Sequence, residues 1–195
     1  MPRWEPDAQE RLMEAALELF TEQGYEDTTV AQIAERAGLT KSTFFRHFPD
    51  KREVLFAGQG SFLQIPADAI AAAPDDAAPL EAIAAALQAL ASVFSRERHP
   101  FASRRQAVIA ANSELQEREA LKRSDFATAM RRALRRRGVP EPGATLAAEL
   151  GVLAFRAAFA RWAEPASGRE FGELATQALQ ELQAATAALT ASSAG

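Results

Sequence analysis

The chain has 195 residues, a formal net charge of −4, 48% hydrophobic residues and 25% charged residues. This length fits one large domain or a small domain with a larger one, and the composition is ordinary for a globular protein. The absence of cysteine excludes disulfides and thiolate metal sites, and it fits a reducing compartment. The first residues lack an apolar signal segment, and no uninterrupted apolar run approaches about 18 residues. We therefore expect a soluble cytoplasmic protein without a membrane span.

Alanine-rich, helix-forming sequence dominates the chain, and strand-forming runs are nearly absent. In the first quarter, apolar residues at helical spacing are interrupted by Gly24, Gly38 and Pro49, which mark helix ends. The predicted helices there run from about Asp7 to Gln23, from Thr28-Thr29 to about Ala37, from Lys41 to His47, and onward from about Lys51.

The rest of the chain also consists of predicted helices separated by proline and glycine. The stretch Pro66–Pro79 is rich in alanine, aspartate and proline, and we expect a loop there. The helices predicted after it are Leu80–Phe94, a short one to about Ala111, Ser113–Arg137, Leu146–Trp162 and Phe171–Leu189. The predicted fold class is all-α, with about nine helices.

Two short predicted helices, joined by Ala37-Gly38-Leu39-Thr40, form a helix-turn-helix pattern. Glycine suits the tight turn because it accepts positive φ, and Leu39 is expected to fill the core between the helices. Phe44 and Phe48 lie four residues apart and are predicted to be buried. The second helix is predicted to expose short polar and basic residues on its other side: Thr40, Lys41, Ser42, Thr43, Arg46 and His47.

Local charge around this pattern favours contact with nucleic acid, although the whole chain is acidic. From Arg36 to Arg52 there are five basic residues and one acidic residue, Asp50, so the local balance is +4. Short polar groups at helix N-termini approach base edges and phosphates in a major groove. The alternative is a plain helical hairpin with a solvated polar face, because helix-turn-helix patterns have false positives.

Residues 7–56 resemble the N-terminal DNA-binding domain of TetR-family transcriptional regulators. The segments that carry the resemblance, at matching spacing, are Ala15-Ala-x-Glu-Leu-Phe20, Gly24-Tyr25, Thr28-Thr-Val-Ala-Gln-Ile-Ala34, Ala37-Gly38, Thr40-Lys-Ser-Thr-Phe-Phe-x-His-Phe48 and Asp50-Lys51. The remainder of the chain matches that family mainly in the order and length of its helices.

The resemblance implies a role for individual residues of the helix-turn-helix. It places Lys41, Ser42 and Thr43 at or near bases, and it places Thr29, Phe45, His47 and Lys51 along the phosphates. The family usually has tyrosine where this chain has Phe45, which has no hydroxyl to donate to phosphate. Arg46 either replaces that contact or is a solvated charge. The complete set of predicted DNA-binding residues is Thr28, Thr29, Thr40, Lys41, Ser42, Thr43, Phe45, Arg46, His47 and Lys51.

We predict a helix-turn-helix domain over residues 1–50 and a helical ligand-sensing and dimerisation domain over residues 51–195. The helix that begins near Lys51 is expected to link them. The first six residues are either a minor-groove arm that uses Arg3 or, as we favour, a disordered terminus. The last four residues are expected to fray.

The larger predicted domain has room for an effector cavity. Aromatic residues on several of its helices are candidates for the lining of an apolar pocket, although each of them alone is better explained as core. These candidates are Phe94, Phe101, Phe126, Phe155, Phe159 and Trp162.

Basic residues are concentrated in residues 96–137, where twelve basic and five acidic residues give a balance of +7. The cluster Arg131–Arg137 ends a predicted helix, and we expect it to be solvated there. Arg104 and Arg105 precede an apolar stretch that includes Ile109. A charged head group is therefore expected beside these two arginines, with an apolar tail directed inward.

Residues 98–119, together with residues 133–138, resemble a C-terminal domain described in some TetR regulators as binding acyl-CoA-like ligands. The resemblance implies a coenzyme A thioester or a similar effector. Its phosphates would need arginines, and its acyl chain would need the apolar pocket.

The last two predicted helices are rich in alanine and have broad apolar faces. We expect them to form a four-helix bundle with a second copy of the chain; the alternative is that they complete the core of a monomer. The resemblance implies a homodimer that reads a palindromic operator on double-stranded DNA. An effector is expected to shift the helix that begins near Lys51 and so release the DNA, although an activator would use the same parts.

The alternatives to a regulator are two other classes of function. An enzyme is disfavoured, because the two histidines, His47 and His99, are far apart in sequence and no catalytic motif is present. A helical lipid- or acyl-thioester-binding protein without sequence-specific DNA binding stays open, because Phe45 lacks the hydroxyl. We expect no catalytic residue, no cofactor and no metal site.

Overall fold

The computed structural model describes residues 8–57, 59–164 and 167–191, so the predictions for the two termini lie outside the described residues. Within the described residues the chain forms nine α-helices, one short 3-10 helix (Arg52–Phe56) and no strand. The α-helices are α1 Ala8–Gln23, α2 Val30–Arg36, α3 Lys41–His47, α4 Gln59–Ala72, α5 Pro79–Leu90, α6 His99–Ala110, α7 Ser113–Arg136, α8 Glu141–Trp162 and α9 Phe171–Ala191. The predicted all-α fold class is confirmed.

The helices belong to two compact units. The first unit comprises Met1–Gln59 and Phe101–Ala120, and the second unit comprises Gly60–Pro100 and Leu121–Gly195. The chain enters each unit twice, so α6 and α7 are divided between them. The predicted domains, 1–50 and 51–195, stay a prediction. The structural units divide the chain differently, because the 3-10 helix and residues 101–120 pack with the first three helices.

One hydrophobic core holds the first unit together. Leu12 and Phe20 come from the apolar face of α1, and Phe44 comes from α3. The segment that returns to this unit adds Ile109 and Leu115, which are 1% and 0% exposed. Burial of these side chains from distant parts of the sequence is what joins the returning segment to the first three helices.

Close packing of α5, α8 and α9 forms the core of the second unit. Small residues on α8 permit this packing. A Cβ atom added to Gly151 would lie 3.0 Å from Cγ2 of Ile83 and 3.2 Å from Cε of Met130. The backbone of α8 therefore approaches its neighbours as closely as a glycine allows.

Two predictions differ from the structure around α4: the helix from about Lys51 and the loop over Pro66–Pro79. The helix expected from about Lys51 is instead the short 3-10 helix followed by α4, and α4 continues through Pro66 to Ala72. The predicted loop was therefore wrong over its first seven residues. Proline removes one helical hydrogen bond, but the residues after it are mostly alanine, which favours helix strongly.

Arg137 closes the C-terminal end of α4. Its guanidinium donates to the carbonyl oxygens of Ile70 at 3.2 Å and Ala73 at 2.7 Å, and also to that of Pro74. These carbonyls lie in and just after the last turn of α4. Those of Ile70 and Pro74 also accept the backbone N–H groups of Ala73 and Ala77, so Arg137 adds side-chain bonds to an end that is already partly paired. The prediction that the Arg131–Arg137 cluster is solvated is thus wrong for its last member.

Helix α8 begins five residues earlier than predicted, beside two prolines. The helix starts at Glu141 rather than Leu146, with Pro140 at its N-cap and Pro142 in its first turn. Proline suits these positions because its fixed φ fits a helix and its missing N–H would be unpaired there. Gly138, with φ of +87°, ends the preceding helix as expected.

Among the described residues, α8 is also the one helix that is long and apolar enough to cross a membrane. Several of its side chains are core residues of the second unit: Ala148, Ala154 and Trp162 are 1%, 0% and 2% exposed. The central helix of a globular core has the same length and composition, so this feature does not indicate a membrane span.

Candidate functional sites

The turn between α2 and α3 has the geometry that the helix-turn-helix prediction requires. Gly38 has φ of +65°, which favours glycine. Its N–H donates to the carbonyl of Glu35 at 2.9 Å, and the N–H of Leu39 donates to the carbonyl of Ala34 at 2.8 Å. These two bonds form a Schellman motif, which ends α2 and turns the chain sharply into α3.

Threonine side chains cap both helices of the motif. Thr29 accepts from the N–H of Gln32, and Gln32 Oε1 accepts from the N–H of Thr29 at 2.8 Å, which completes a capping box. Thr40 accepts from the N–H of Thr43 at 3.1 Å. Both caps lie where the sequence predicted the starts of these two helices, and both residues are exposed.

The helix α3 has a buried aromatic face and an exposed polar face. Phe44 and Phe48 are 0% and 3% exposed, with ring centroids 5.4 Å apart, as the sequence predicted. The other predicted DNA-binding residues of α3 lie on the exposed or partly exposed side: Lys41, Ser42, Thr43, Phe45, Arg46 and His47. Aromatic packing on one side therefore fixes which side chains the helix can offer to a partner.

Lys41, Arg46 and His47 of the α3 face differ in the contacts that their charged or polar groups make. The ammonium of Lys41 lies 5.9 Å from the ring centroid of Phe45, which is 49% exposed. Arg46 is exposed and has no hydrogen bond or ion pair with another described residue. His47 has a buried Nε2 that has no hydrogen-bond partner in the described part of the chain. A buried polar atom without a partner is costly, so this nitrogen is an unsatisfied group of the α3 face.

Lys51 is held against Tyr25. Its Nζ donates to the backbone carbonyl of Tyr25 at 2.7 Å and lies 4.0 Å from the centroid of that ring. Burial, followed by the neighbouring carboxylate of Glu114, raises the pKa of Tyr25 well above its usual value, so the phenol stays neutral. An ammonium carries three donors, so Lys51 keeps bonding capacity beyond this contact.

Ion pairs reduce the positive charge that the sequence predicted for this region. Arg36 pairs with Glu22 at 2.8 Å and with Glu18 at 3.2 Å. Arg52 pairs with Asp50 at 2.9 Å, and also with a carboxylate of α7. Hydrogen bonds to Glu22, then to Glu18, raise the pKa of the Arg36 guanidinium.

The local balance of +4 over residues 36–52 therefore overstates the available positive charge. Arg36 and Arg52 are paired with carboxylates, and all of these except Asp50 lie outside residues 36–52. Within the described residues, the cations of this region that lack a carboxylate partner are Lys41, Arg46 and Lys51.

Thr28, which the sequence placed among the DNA-binding residues, is not accessible to DNA in the structure. Its side chain is buried, with 1% exposure, and its hydroxyl donates to the carbonyl of Gly24 at 2.7 Å. The same oxygen accepts from Nε2 of Gln23 at 3.2 Å. Of the two adjacent threonines only Thr29 is exposed, and Thr28 links the end of α1 to the loop before α2.

Five of the predicted effector residues form one aromatic cluster in the second unit. Phe94, Phe126, Phe155, Phe159 and Trp162 pack with two rings that were not predicted for the site, Phe62 and Phe171. The tightest contact joins Phe94 and Phe171, with centroids 4.4 Å apart. The helical spacing of Phe62 and Phe171 was visible in the sequence, but their proximity to the other rings depends on helix packing.

The other four predicted effector residues, Phe101, Arg104, Arg105 and Ile109, belong to the first unit. Arg104 pairs with Glu14 at 2.6 Å. Nε of Arg105 donates to the carbonyl of Leu55 at 2.6 Å, and its guanidinium lies 4.9 Å from the Phe56 ring.

Burial lowers the pKa of Arg105 to about 10, so the group remains charged near pH 7. Phe101 and Ile109 pack into the core of the first unit. The structure thus divides the nine predicted effector residues between the two units, and their role in effector binding stays a prediction.

Two open grooves of about 650 Å³ and 420 Å³ lie on the second unit. The larger follows α7 and α8, and the smaller follows α5, α8 and α9. Leu146 borders both. Neither groove is lined by a residue predicted for the effector.

Helix α8 also carries exposed leucines: Leu146 is 59% exposed and Leu153 is 45% exposed. They lie seven residues apart and therefore on one face of the helix. On α9, Leu189 is 75% exposed. Large exposed apolar side chains in a row are unusual on a surface that faces only water.

These features define a helix-turn-helix protein with a larger helical second part. A family model described as bacterial regulatory proteins, tetR family, matches residues 12–57. The match assigns residues 12–57 to this family. It is 41% identical over 81 residues to the HTH-type transcriptional regulator TcmR of Streptomyces glaucescens, an alignment that covers 42% of this chain and 36% of that protein. The matches to the first three curated relatives span only 24% to 38% of those proteins.

Solved structures share the whole fold. The SmeT–triclosan complex, from the repressor of a Stenotrophomonas maltophilia multidrug efflux pump, is 22% identical, with a TM-score of 0.63, and the match covers 91% of this chain and 90% of that one. FadR of Bacillus subtilis in complex with stearoyl-CoA is 19% identical, with a TM-score of 0.61 and coverage of 88% and 95%. At these identities the likeness shows the fold alone. The relatives are named as regulators, which agrees with the expectation that the chain is not an enzyme.

Proposed function

We propose that this protein is a ligand-responsive, DNA-binding transcriptional regulator that acts in the cytoplasm. The observation that carries the proposal is the polar, partly basic face of α3, held outward by Phe44 and Phe48 after a glycine turn. A short helix with this division of faces fits the major groove of double-stranded DNA.

The proposed contacts follow the two kinds of group on this face. Lys41, Ser42 and Thr43 read base edges, since they lie in the first turn of α3 and are exposed or partly exposed. The groups along the phosphates are Thr29, Thr40, Phe45, Arg46, His47 and Lys51. For His47 the unpaired Nε2 supports this role, because a rotation of the partly exposed side chain would bring it within hydrogen-bond distance of a phosphate oxygen. Thr28 is left out of the proposed interface.

We propose that Arg46 supplies the phosphate contact that Phe45 cannot make. Arg46 is exposed beside it and is not bound to a carboxylate in the described residues. A guanidinium can hold a phosphate through two donors, whereas the Phe45 ring offers only apolar contact to a sugar.

The proposed effector is a small hydrophobic molecule or an acyl-CoA-like one. The seven-ring aromatic cluster of the second unit supports an apolar ligand, because Phe94, Phe155 and Phe159 are only half-buried and form a continuous aromatic surface. Related folds hold stearoyl-CoA in one case and triclosan in another. These two ligands share an apolar body, and the aromatic cluster offers an apolar surface for it.

The proposed active form is a homodimer through α8 and α9. The exposed leucines of α8 and α9 support it, because burial against a second copy removes them from water. A two-fold dimer presents two α3 helices to the half-sites of a palindromic operator, about one helical turn apart.

Control is proposed as repression that the effector relieves. Ligand binding lowers DNA affinity only if the ligand has different affinities for the DNA-competent and DNA-incompetent arrangements. An activator, or a regulator whose ligand promotes DNA binding, would use the same groups with the opposite coupling sign.

The test begins with selection of duplexes from random DNA by the full-length protein. The dissociation constant is then measured by fluorescence anisotropy for the selected duplex and a scrambled one, over a range of salt. We expect selectivity of at least about 10³-fold and a log–log salt slope that reports several phosphate contacts. A Lys41→Gln, Arg46→Gln double variant should lose most of the selectivity at unchanged helix content.

Addition of stearoyl-CoA, and separately of triclosan, tests the effector. Release of the duplex by either one supports an apolar effector, and release by stearoyl-CoA alone supports the acyl-CoA class. If no duplex is selected but stearoyl-CoA binds in calorimetry, the protein is an acyl-thioester-binding protein, and the DNA-binding proposal is wrong.

A further inference from the structure

Arg11, in the second turn of α1, binds the turn of the helix-turn-helix. Its Nη2 donates to the carbonyl oxygen of Ala37 and lies 3.5 Å from that of Gly38. In the sequence, Arg11 lies 26 positions before Ala37 and 27 positions before Gly38. The contact therefore joins a helix outside the motif directly to the backbone that sets the angle between α2 and α3.

The turn needs this donor. The last four carbonyls of a helix have no helical partner. In α2 the Schellman motif pairs the carbonyls of Ala34 and Glu35, but it provides no N–H for that of Ala37. Arg11 supplies the donor, and its positive charge lies at the end of α2 where the helix dipole is negative.

The turn is also shaped to admit the guanidinium. A Cβ atom at Gly38 would lie 2.8 Å from Nη2 of Arg11, closer than the two atoms can approach. The positive φ therefore favours glycine at this position, and a side chain there would also displace the end of the Arg11 side chain from its bonding position. A guanidinium with several donors in one plane suits two adjacent carbonyls better than an ammonium does.

We propose that Arg11 is a positioning residue for DNA recognition, which locks the α2–α3 turn so that α3 enters the groove in one fixed orientation. This inference rests on the proposed function. Arg11 acts through the turn and touches no DNA, so its loss should weaken selective binding more than non-selective binding. Base contacts depend on the orientation of α3, whereas phosphate attraction tolerates small changes.

The experiment compares Arg11→Gln, Arg11→Lys and Arg36→Gln with the full-length wild type on the selected and scrambled duplexes. Arg36→Gln is the matched control, because it removes one arginine that joins α1 to α2 through exposed ion pairs and leaves the turn untouched. For Arg11→Gln we expect affinity for the selected duplex to fall about tenfold, which corresponds to about 1.4 kcal/mol. Affinity for the scrambled duplex and the salt slope should stay unchanged, Arg11→Lys should recover part of the loss, and Arg36→Gln should bind like the wild type.

Three results would overturn the proposal. The first is equal binding by Arg11→Gln and wild type. The second is a shallower salt slope for Arg11→Gln, which would mean that Arg11 contacts phosphate itself. The third is an equal loss for Arg11→Gln and Arg36→Gln, which would indicate a general effect of joining α1 to α2. If Arg11→Gln fails to fold, Arg11→Lys alone decides between these outcomes. A wild type that selects no duplex would instead remove the DNA-binding proposal, and this inference with it.

Discussion

Nε of Arg105 donates to the backbone carbonyl of Leu55 at 2.6 Å, across 50 residues of sequence. The donor lies on α6 and the acceptor lies in the 3-10 helix that follows the helix-turn-helix. An arginine that the sequence suggested for a ligand head group is thus already used within the first unit, where it attaches residues 101–120 to the 3-10 helix. A phosphate could bind Arg105 only by competing with this carbonyl.

Arg105 and its neighbour Arg104 should differ in their effect on stability. Arg105→Ala leaves the Leu55 carbonyl without its donor and removes the contact with the Phe56 ring, so we expect a loss of about 2 kcal/mol. Arg104→Ala removes an ion pair with Glu14 in which both side chains are at least 40% exposed, and we expect less than about 1 kcal/mol. Urea denaturation followed by circular dichroism measures both. Equal losses would contradict the structural role of Arg105.

The same two variants test the predicted head-group site. If calorimetry with stearoyl-CoA shows weaker binding for Arg104→Ala, whose stability is nearly unchanged, a role for this arginine in the effector site is supported. If binding is unchanged in both variants, the sequence-based assignment of Arg104 and Arg105 to the effector is wrong.

Phe45→Tyr should strengthen DNA binding. The Phe45 ring is 49% exposed, so an added hydroxyl remains in water in the free protein and can donate to phosphate in the complex. We expect the affinity for a selected duplex to rise by about threefold to tenfold, the effect of one net hydrogen bond. The control is Phe44→Tyr, which places the same hydroxyl in a site with 0% exposure and should lower the melting temperature instead. Unchanged affinity for Phe45→Tyr would place the ring away from the DNA backbone.

Replacement of two glycines of α8 by alanine should change the stability of the protein in opposite directions. At Gly143 an added methyl meets only Cγ1 of Val139, at 3.5 Å, and the gain in helix propensity should stabilise the protein by up to about 1 kcal/mol. At Gly151 the methyl meets Ile83 and Met130 at 3.0–3.3 Å, and overpacking should cost about 1–3 kcal/mol. Thermal unfolding of Gly143→Ala and Gly151→Ala gives the comparison. Stabilisation by both would mean that Met130 yields to the methyl without strain.

Leu153→Glu should dissociate the proposed dimer. A carboxylate on this face of α8 would have to be buried against the second copy without a partner, which is strongly unfavourable. Sedimentation equilibrium should show a shift from twice the chain mass towards the monomer. Leu121→Glu is the control, because Leu121 is 59% exposed but lies on α7. If the Leu153→Glu variant stays dimeric, the proposed interface through this face of α8 is wrong.

The helix-turn-helix was predictable almost residue by residue. Its caps, its turn glycine and its buried Phe44 are local features, in which the pattern of a few neighbouring residues determines the conformation. The exception is Thr28. It directly precedes Thr29, and the structure of the loop between α1 and α2 determines that its hydroxyl is the buried one of the two.

The long-range features were not predictable in the same way. The loop expected after Pro66 was wrong because the alanines after it favour helix and because Arg137, far along the chain, caps the helix end. The charge expected near α3 was too high, because Arg36 is neutralised by Glu22 on another helix. Each of these outcomes depends on a partner that no local pattern identifies.

By itself, the sequence determined the all-α class, the position of nearly every helix and the two faces of α3, because periodicity and capping act within one or two helical turns. The tertiary structure alone decided which arginines are free and which bind carbonyls or carboxylates, and which aromatic rings meet in one cluster. It also brought Arg11 to the turn that orients α3. These properties depend on distances between residues that are remote in sequence, and only the packing of the hydrophobic cores sets those distances.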